Sequence, residues 1–253
     1  MKITFLGTGT SQGIPVIGSK DPVCLSKDLK DKRLRSSILV QTDTLQFVID
    51  CGPDFRMQLL QAQVDHLDAI LFTHEHADHT AGLDDIRQLR RRNGALPLYA
   101  HPRVIKNLKL RFDYIFNDAI IYKGKPQAIT HDITPSLFEI KGQKIIPIDL
   151  MHGDLQVYGY RIDNFAYLTD VSFIADTEKN KLKNLDVLVV DALRIEPHPT
   201  HYNLQQALTL VEELKPKRTY LTHISHKLGF HEQVQNQLPA GVFLSYDGLQ
   251  IKI

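Results

Sequence analysis

Cysteine is scarce in this 253-residue sequence, limited to Cys24 and Cys51, and two thiols cannot make a disulfide framework. Net charge is scarce too. Thirty Lys and Arg against 29 Asp and Glu leave +1, which exerts no general pull on nucleic acid or an anionic membrane, so a polyanionic substrate would have to be held locally. No apolar run approaches the ~20 residues of a membrane span. The opening Met1-Lys2-Ile3-Thr4-Phe5-Leu6-Gly7 has too short an apolar stretch for a secretion signal. No internal repeat or low-complexity tract is evident. Together these absences point to a cytoplasmic protein with no membrane partner. What is plentiful is apolar content: at 43% the chain can bury a full core as one domain over residues 1–253, or as two fused halves sharing one site.

Histidine is unevenly spread. His74, His76 and His79, with Glu75 and Asp78, fall within six residues directly after the apolar run Ala69-Ile70-Leu71-Phe72. Imidazole is the commonest ligand of zinc-like ions, and carboxylate oxygen suits harder ones. In a turn, His74 and His76 can grip one ion while Asp78 and His79 reach a second, at the ~3.5–4 Å spacing of paired metals. A single histidine is usually a packing or surface residue, but ligand-type side chains at this density read as a metal site.

Around that stretch the chain alternates between strand and helix signals. Lys2–Leu6 reads as a strand, followed by the loop Gly7-Thr8-Gly9-Thr10-Ser11-Gln12-Gly13. No Gly-Lys-Ser/Thr follows it, so a tight loop under the metal site is a better reading than a phosphate cradle. Residues 37–40 and 46–50 form a hairpin pattern, and residues 54–63 a helix with Phe55, Leu59 and Leu60 on one face. Residues 82–92 read as a helix carrying Arg87, Arg90, Arg91 and Arg92, a solvated basic face from which one guanidinium could approach a substrate phosphate. A strand is expected at 97–100 and a helix at 102–112. Short strands follow at 137–140, 144–150, 155–162 and 165–168, then a helix at 177–183, a buried strand at 187–191, a helix at 204–214 and a strand at 218–222. Residues 243–246 and 249–253 read as a closing hairpin across Asp247-Gly248. His66, His101 and His131 lie away from any other ligand group and read as structural. His226 is expected behind the site, and His231 on the surface.

His-x-His-x-Asp-His after a hydrophobic strand resembles the signature of the metallo-β-lactamase superfamily. The resemblance implies an α/β fold, a four-layer αββα sandwich of two mixed sheets flanked by helices. It also asks for three later ligands in order, and His152, Asp170 and His223 each follow a strand. By that likeness His74, His76 and His152 hold one divalent cation and Asp78, His79 and His223 the other, with Asp170 bridging, zinc or manganese being the expected metals. Asp50, at a strand end, could bond the free ring nitrogen of a ligand histidine; a turn-forming aspartate is the alternative.

The loop 7–13, Arg35-Ser36-Ser37 and His198-Pro199-Thr200-His201 further resemble the phosphoribosyl cyclic phosphodiesterases, relatives of the tRNA 3′-processing endonucleases. The likeness implies hydrolysis of a phosphodiester, with His201 protonating the leaving oxygen, Asp78 helping to orient it, and His198 as the rival acid. That branch carries a structural zinc on several cysteines. Here Ser19 and Asp21 stand where cysteines would be sought, so this accessory site is expected to be absent. The expected substrate is a small cyclic or short diester. A tRNA-processing endonuclease is less favoured for want of a basic arm, and a thioester or lactone hydrolase or a metal-dependent binding module are the remaining readings. A homodimer is left open.

Overall fold

Along the apolar runs alternate side chains point opposite ways, and both ways are buried. In the strands around residue 40, Ile38 and Val40 pack into one cluster and Leu39 into another, and Phe47 and Ile49 part from Val48 in the same manner. Such period-two burial on both faces belongs to strands lying between two other layers. The computed structural model, which describes residues 1–89 and 94–253, has them so.

The strands are β1 Lys2–Gly7, β2 Ser37–Gln41, β3 Gln46–Ile49, β4 Ala69–Leu71, β5 Leu96–Ala100, β6 Ala128–Asp132, β7 Phe138–Ile140, β8 Gln143–His152, β9 Leu155–Ile162, β10 Phe165–Leu168, β11 Val187–Asp191, β12 Arg218–Thr222, β13 Val242–Leu244 and β14 Gln250–Lys252. Among the described residues they make two seven-stranded sheets, ordered β14-β1-β2-β3-β4-β5-β6 and β13-β12-β11-β10-β9-β8-β7. In each sheet an antiparallel meander (β1-β2-β3, β8-β9-β10) runs into three parallel additions (β4-β5-β6, β11-β12-β13). The core between the sheets is built on Phe5, Phe47, Tyr160, Phe165 and Tyr167, each worth about 1.5–3 kcal/mol of burial.

Helices cover the outer faces. On the first sheet lie Phe55–Gln61, which buries Phe55 and Leu59, and Pro102–Arg111, which buries Val104, Ile105 and Leu108. Leu60 is 58% exposed, so it does not join the apolar face expected of it. The helix Pro102–Arg111 starts with proline in its first turn, where no N–H is needed, and the His101 side chain accepts the Arg103 N–H. On the second sheet lies Leu204–Leu214, opened by a capping box of Asn203 and Gln206 and burying Ala207 and Leu210.

Three expectations are corrected, and one strand is added. The stretch after Gly82 is a 3-10 helix, Leu83–Gln88; Arg87 there pairs with Asp84 at 2.6 Å, and Arg90, Arg91 and Arg92 lie outside the described residues. The helix near residue 180 is a short α turn, Asp176–Lys179, running into a 3-10 turn, Asn180–Leu182. Strand β6 went unread because Thr130-His131-Asp132 is polar and lies on an outer strand of its sheet. The closing strands are not a hairpin: β13 pairs with β12 in the second sheet and β14 with β1 in the first. The tight turn at Asp247-Gly248 is there, closed by the Leu249 N–H on the Tyr246 carbonyl at 3.1 Å, but it joins two sheets: the Asp247 carboxylate accepts Thr8 Oγ1–H at 2.7 Å and the Leu34 N–H at 2.6 Å and so ties the crossing segment to the N-terminal loop.

Candidate metal centre and catalytic site

Six strands deliver their carboxyl ends to one place. Asp50 follows β3, Thr73 and His74 follow β4, His152 ends β8, Asp170 follows β10, Asp191 ends β11 and His223 follows β12. The register Leu168 to Val190 and Asp191 to Thr222 brings the last three side by side. Asp50, Asp170 and His223 leave their strands with φ of +66°, +57° and +54°, a left-handed turn that costs a non-glycine residue about 1–2 kcal/mol. All three are buried, and each uses the turn to aim a polar side chain at the site.

The structure brings together every residue singled out as a ligand. Donor atoms of His74, His76 and His152 lie within 4.8 Å of one another, as do those of His74, His79 and Asp170, of Asp78, His79 and His223, and of His152, Asp170 and His201. The first sheet supplies His74, His76, Asp78 and His79, and the second His152, Asp170, His201 and His223.

Hydrogen bonds behind the rings decide which nitrogen each histidine has free. Asp50 accepts the Thr73 N–H and O–H, both at 2.8 Å, and His79 Nδ1–H at 2.7 Å, so His79 presents Nε2. The Thr73 proton is thereby spent on Asp50, and its oxygen can only accept from His74 Nδ1–H at 3.0 Å, which leaves His74 Nε2 without a proton, 2.9 Å from His76 Nδ1. His152 Nδ1–H donates to the Thr200 carbonyl at 2.7 Å, which frees its Nε2. One carboxylate thus orients two rings, the support that ligand histidines need. Asp50 is such a residue as well as a strand-end turn.

These free atoms fit a cation better than one another. His79 Nε2 lies 3.1 Å from Asp78 Oδ2 and 3.2 Å from Asp170 Oδ2, and His223 Nε2 lies 3.3 Å from Asp170 Oδ1. Yet both nitrogens are buried with no hydrogen bond, and with an Asp78 oxygen the two histidines' donor atoms lie within 4.8 Å of one another. Burial disfavours charge on every member. It pushes Asp170 and Asp78 up, but the neighbouring His79 and His223 outweigh it and hold both well below the usual carboxylate range. Burial pushes His79 down, but Asp170, Asp78 and Asp50 around it raise it well above the ordinary imidazole value. A buried carboxylate cluster calls for positive charge. In the bare protein a histidine proton supplies it; divalent cations in the same place would do so more fully.

The ligand loop is wedged from two sides. Arg103 grips Glu75 with Nε and Nη2 at 2.8 and 3.1 Å, and Arg111 Nη1 bonds the Glu75 carbonyl and Thr80 Oγ1. From the other side Gly52 packs on the Asp78 carbonyl so tightly that any Cβ would overlap it. Gly52→Ala is therefore expected to shift the backbone carrying Asp78 and His79 and to weaken metal binding about 10–100-fold, measured by chelator competition on the folded variant.

His201 stands beside the cluster, ring centroids 4.5 Å from His152 and 4.8 Å from His223. Burial first, then His223, lowers its pKa to about 4. The carboxylate against it is that of Asp191, where the sequence suggested Asp78: Asp191 Oδ2 is 3.1 Å from His201 Nδ1. Asp191 is fully buried and burial pushes its carboxyl well up. It went unread, although the signal was the same as for Asp170, an aspartate closing an apolar strand. His198 lies 5.1 Å from His201, ring to ring.

The other histidines sort plainly. His66 pairs with Asp65, His101 caps a helix, and His131 stacks on Tyr99. His226 keeps a buried Nδ1 without a hydrogen-bond partner. His231 is not on the surface: it is 5% exposed, with Nδ1 3.1 Å from Arg33 Nη2 and its N–H donating to Asp31. The loop 7–13 packs where expected, Gly9 bridging to Ile224 next to His223, and Cys24 is buried with Ile14 and Val23.

Comparison with known proteins places this geometry. A family model described as a beta-lactamase superfamily domain matches residues 46–224. A crystal structure of a diphosphatase from the PhnP family is 45% identical and superposes with a TM-score of 0.93, over 100% of this chain and 97% of that one. An octanoyltransferase of Porphyromonas gingivalis is 38% identical over 99% of this chain and 51% of its own length. A ribonuclease Z of Listeria welshimeri is 28% identical over 64% of this chain and 49% of its own length. The chain thus spans about half the length of these two curated relatives.

Proposed function

Since the chain belongs to the beta-lactamase superfamily, in the branch of the PhnP family and ribonuclease Z, we propose that this metallohydrolase cleaves a small phosphodiester. His74, His76 and His152 would hold one divalent cation, Asp78, His79 and His223 a second, and Asp170 would lie between them. Bound there, the pair would lower the pKa of a water and set positive charge against the phosphoryl oxygens.

The observation that carries the reading is His201, a histidine held by a buried carboxyl at the rim of the cluster and surplus to the seven donors. A departing alkoxide needs a proton and a departing thiolate does not, so such a ring suits an oxygen ester. Burial favours the state in which the pair's shared proton rests on Asp191. Nδ1 then accepts it and Nε2 carries N–H. As Nε2 gives its proton to the leaving oxygen, Asp191 passes its own to Nδ1, and the imidazole ends neutral.

One observation favours a second reading, an acyl thioester. The Porphyromonas gingivalis protein that matches this chain from end to end is named for octanoyl transfer. The test is a paired assay on protein stripped of metal and reloaded with zinc, manganese or iron: bis(p-nitrophenyl) phosphate against an octanoyl thioester, with metal counted by elemental analysis. Two equivalents of metal and diester turnover that disappears on chelation are expected. Thioester turnover in excess of diester turnover would replace the first reading with the second.

A further inference from the structure

His198 and His201 are both imidazoles at the same rim, and the difference between them is what stands behind Nδ1. Behind His201 it is the carboxyl of Asp191, a group that can hand over a proton. Behind His198 it is Thr200, whose backbone N–H donates to His198 Nδ1 at 3.3 Å and whose hydroxyl lies 3.2 Å from it; neither an amide nor an alcohol is acidic enough to hand its proton over. His198 therefore has its acceptor nitrogen occupied and its proton on Nε2. If that proton were given away, the ring would be left as an imidazolate, so this histidine can bind an oxygen but cannot protonate one.

The ring is also held in place. His198 is flanked in the chain by Pro197 and Pro199, and Arg194 braces the approach with Nε on the Glu196 carbonyl at 3.1 Å and Nη2 on the Pro197 carbonyl at 2.6 Å. Asn203 Nδ2 fixes the Ile195 carbonyl at 3.0 Å. Thr200 joins this arm to the cluster, since its carbonyl also orients His152. A donor with one tautomer, on a fixed loop and half-buried, loses little freedom when it binds.

Resting on the phosphodiesterase reading, we propose that His198 is a specificity residue, donating Nε2–H to an oxygen of the leaving group adjacent to the one His201 protonates. It would thereby favour a leaving group with vicinal oxygens, such as a ribose, over a plain aryl or alkyl alcohol. Burial, with His201 and Arg194 nearby, lowers the His198 pKa, which keeps the ring neutral as this role requires.

The test compares uridine 2′,3′-cyclic monophosphate, whose leaving oxygen has a neighbour on the ribose, with bis(p-nitrophenyl) phosphate, whose leaving oxygen has none. In His198→Ala the preference for the cyclic nucleotide, as a ratio of kcat/KM values, should fall about tenfold, the worth of one hydrogen bond, and the loss should sit in KM. His198→Gln, which carries an N–H where Nε2 stood, should restore most of it; His198→Asn, with its amide at the Nδ1 position, should not. His201→Ala should show the opposite split, in kcat. Equal losses on both esters, a loss confined to kcat, or a Gln variant no better than Ala would each overturn the assignment. Wild-type turnover of the aryl ester alone would overturn it while leaving the diesterase reading intact, and turnover of neither ester would remove both.

Discussion

His201→Ala is expected to lower kcat on a ribosyl or alkyl phosphodiester by about 10²–10⁴-fold, the usual worth of a positioned acid, while its metal content is unchanged. The same variant should lose far less on a p-nitrophenyl ester, because p-nitrophenolate departs as a stable anion. The contrast follows from geometry: His201 touches the cluster only at its rim, and its anchor is Asp191. Asp191→Asn is the matching control. The amide can hold the ring but cannot pass on a proton, so its losses should track leaving-group basicity in the same way. Steady-state kinetics over a series of leaving groups, with metal measured on each sample, decides the matter. An equal loss on all esters would mean that His201 shapes the site and does no proton transfer.

Asp170→Asn should have a larger effect on the resting protein. Its carboxylate lies within 3.3 Å of both His79 and His223 and within reach of His74, His152 and His201, so it touches donors from both sheets at once. The variant should retain at most one equivalent of metal, and its turnover should fall by about 10³-fold or more. Stability without metal should change as well. Asp170 has a depressed pKa in the fold, so it contributes stability above its unfolded value near 3.9, and that stability is lost as pH falls through the folded value. Removing one partner of a buried ionic group costs about 3–5 kcal/mol. Metal-free Asp170→Asn should therefore melt well below metal-free wild type at neutral pH, with the gap closing in acid. Elemental analysis and calorimetry at two pH values test both parts.

What could be read in the sequence was whatever is local. An apolar run followed by His-x-His-x-Asp-His states its strand and its donors within ten residues, and the strands that present His152, Asp170 and His223 have equally clear bounds. What escaped depended on partners far along the chain. Asp247-Gly248 has the form of a hairpin turn, but its carboxylate is claimed by Thr8 and Leu34, more than 200 residues away, and the flanking strands part to different sheets. His231 resembles any polar helix start, yet Asp31 and Arg33 draw it inside. Asp191 ends its strand as Asp170 does; only the packing of the 194–201 loop against it shows that it backs a histidine.

Because the first sheet supplies four of the seven donors and the second the other three, a pair of cations would rivet the two leaves of the sandwich at one rim. Melting temperature would then follow free metal concentration, rising with RT ln of its excess over the dissociation constant. In a chelating medium the leaves would loosen first at this rim, and the left-handed residues Asp50, Asp170 and His223 would be among the earliest to relax.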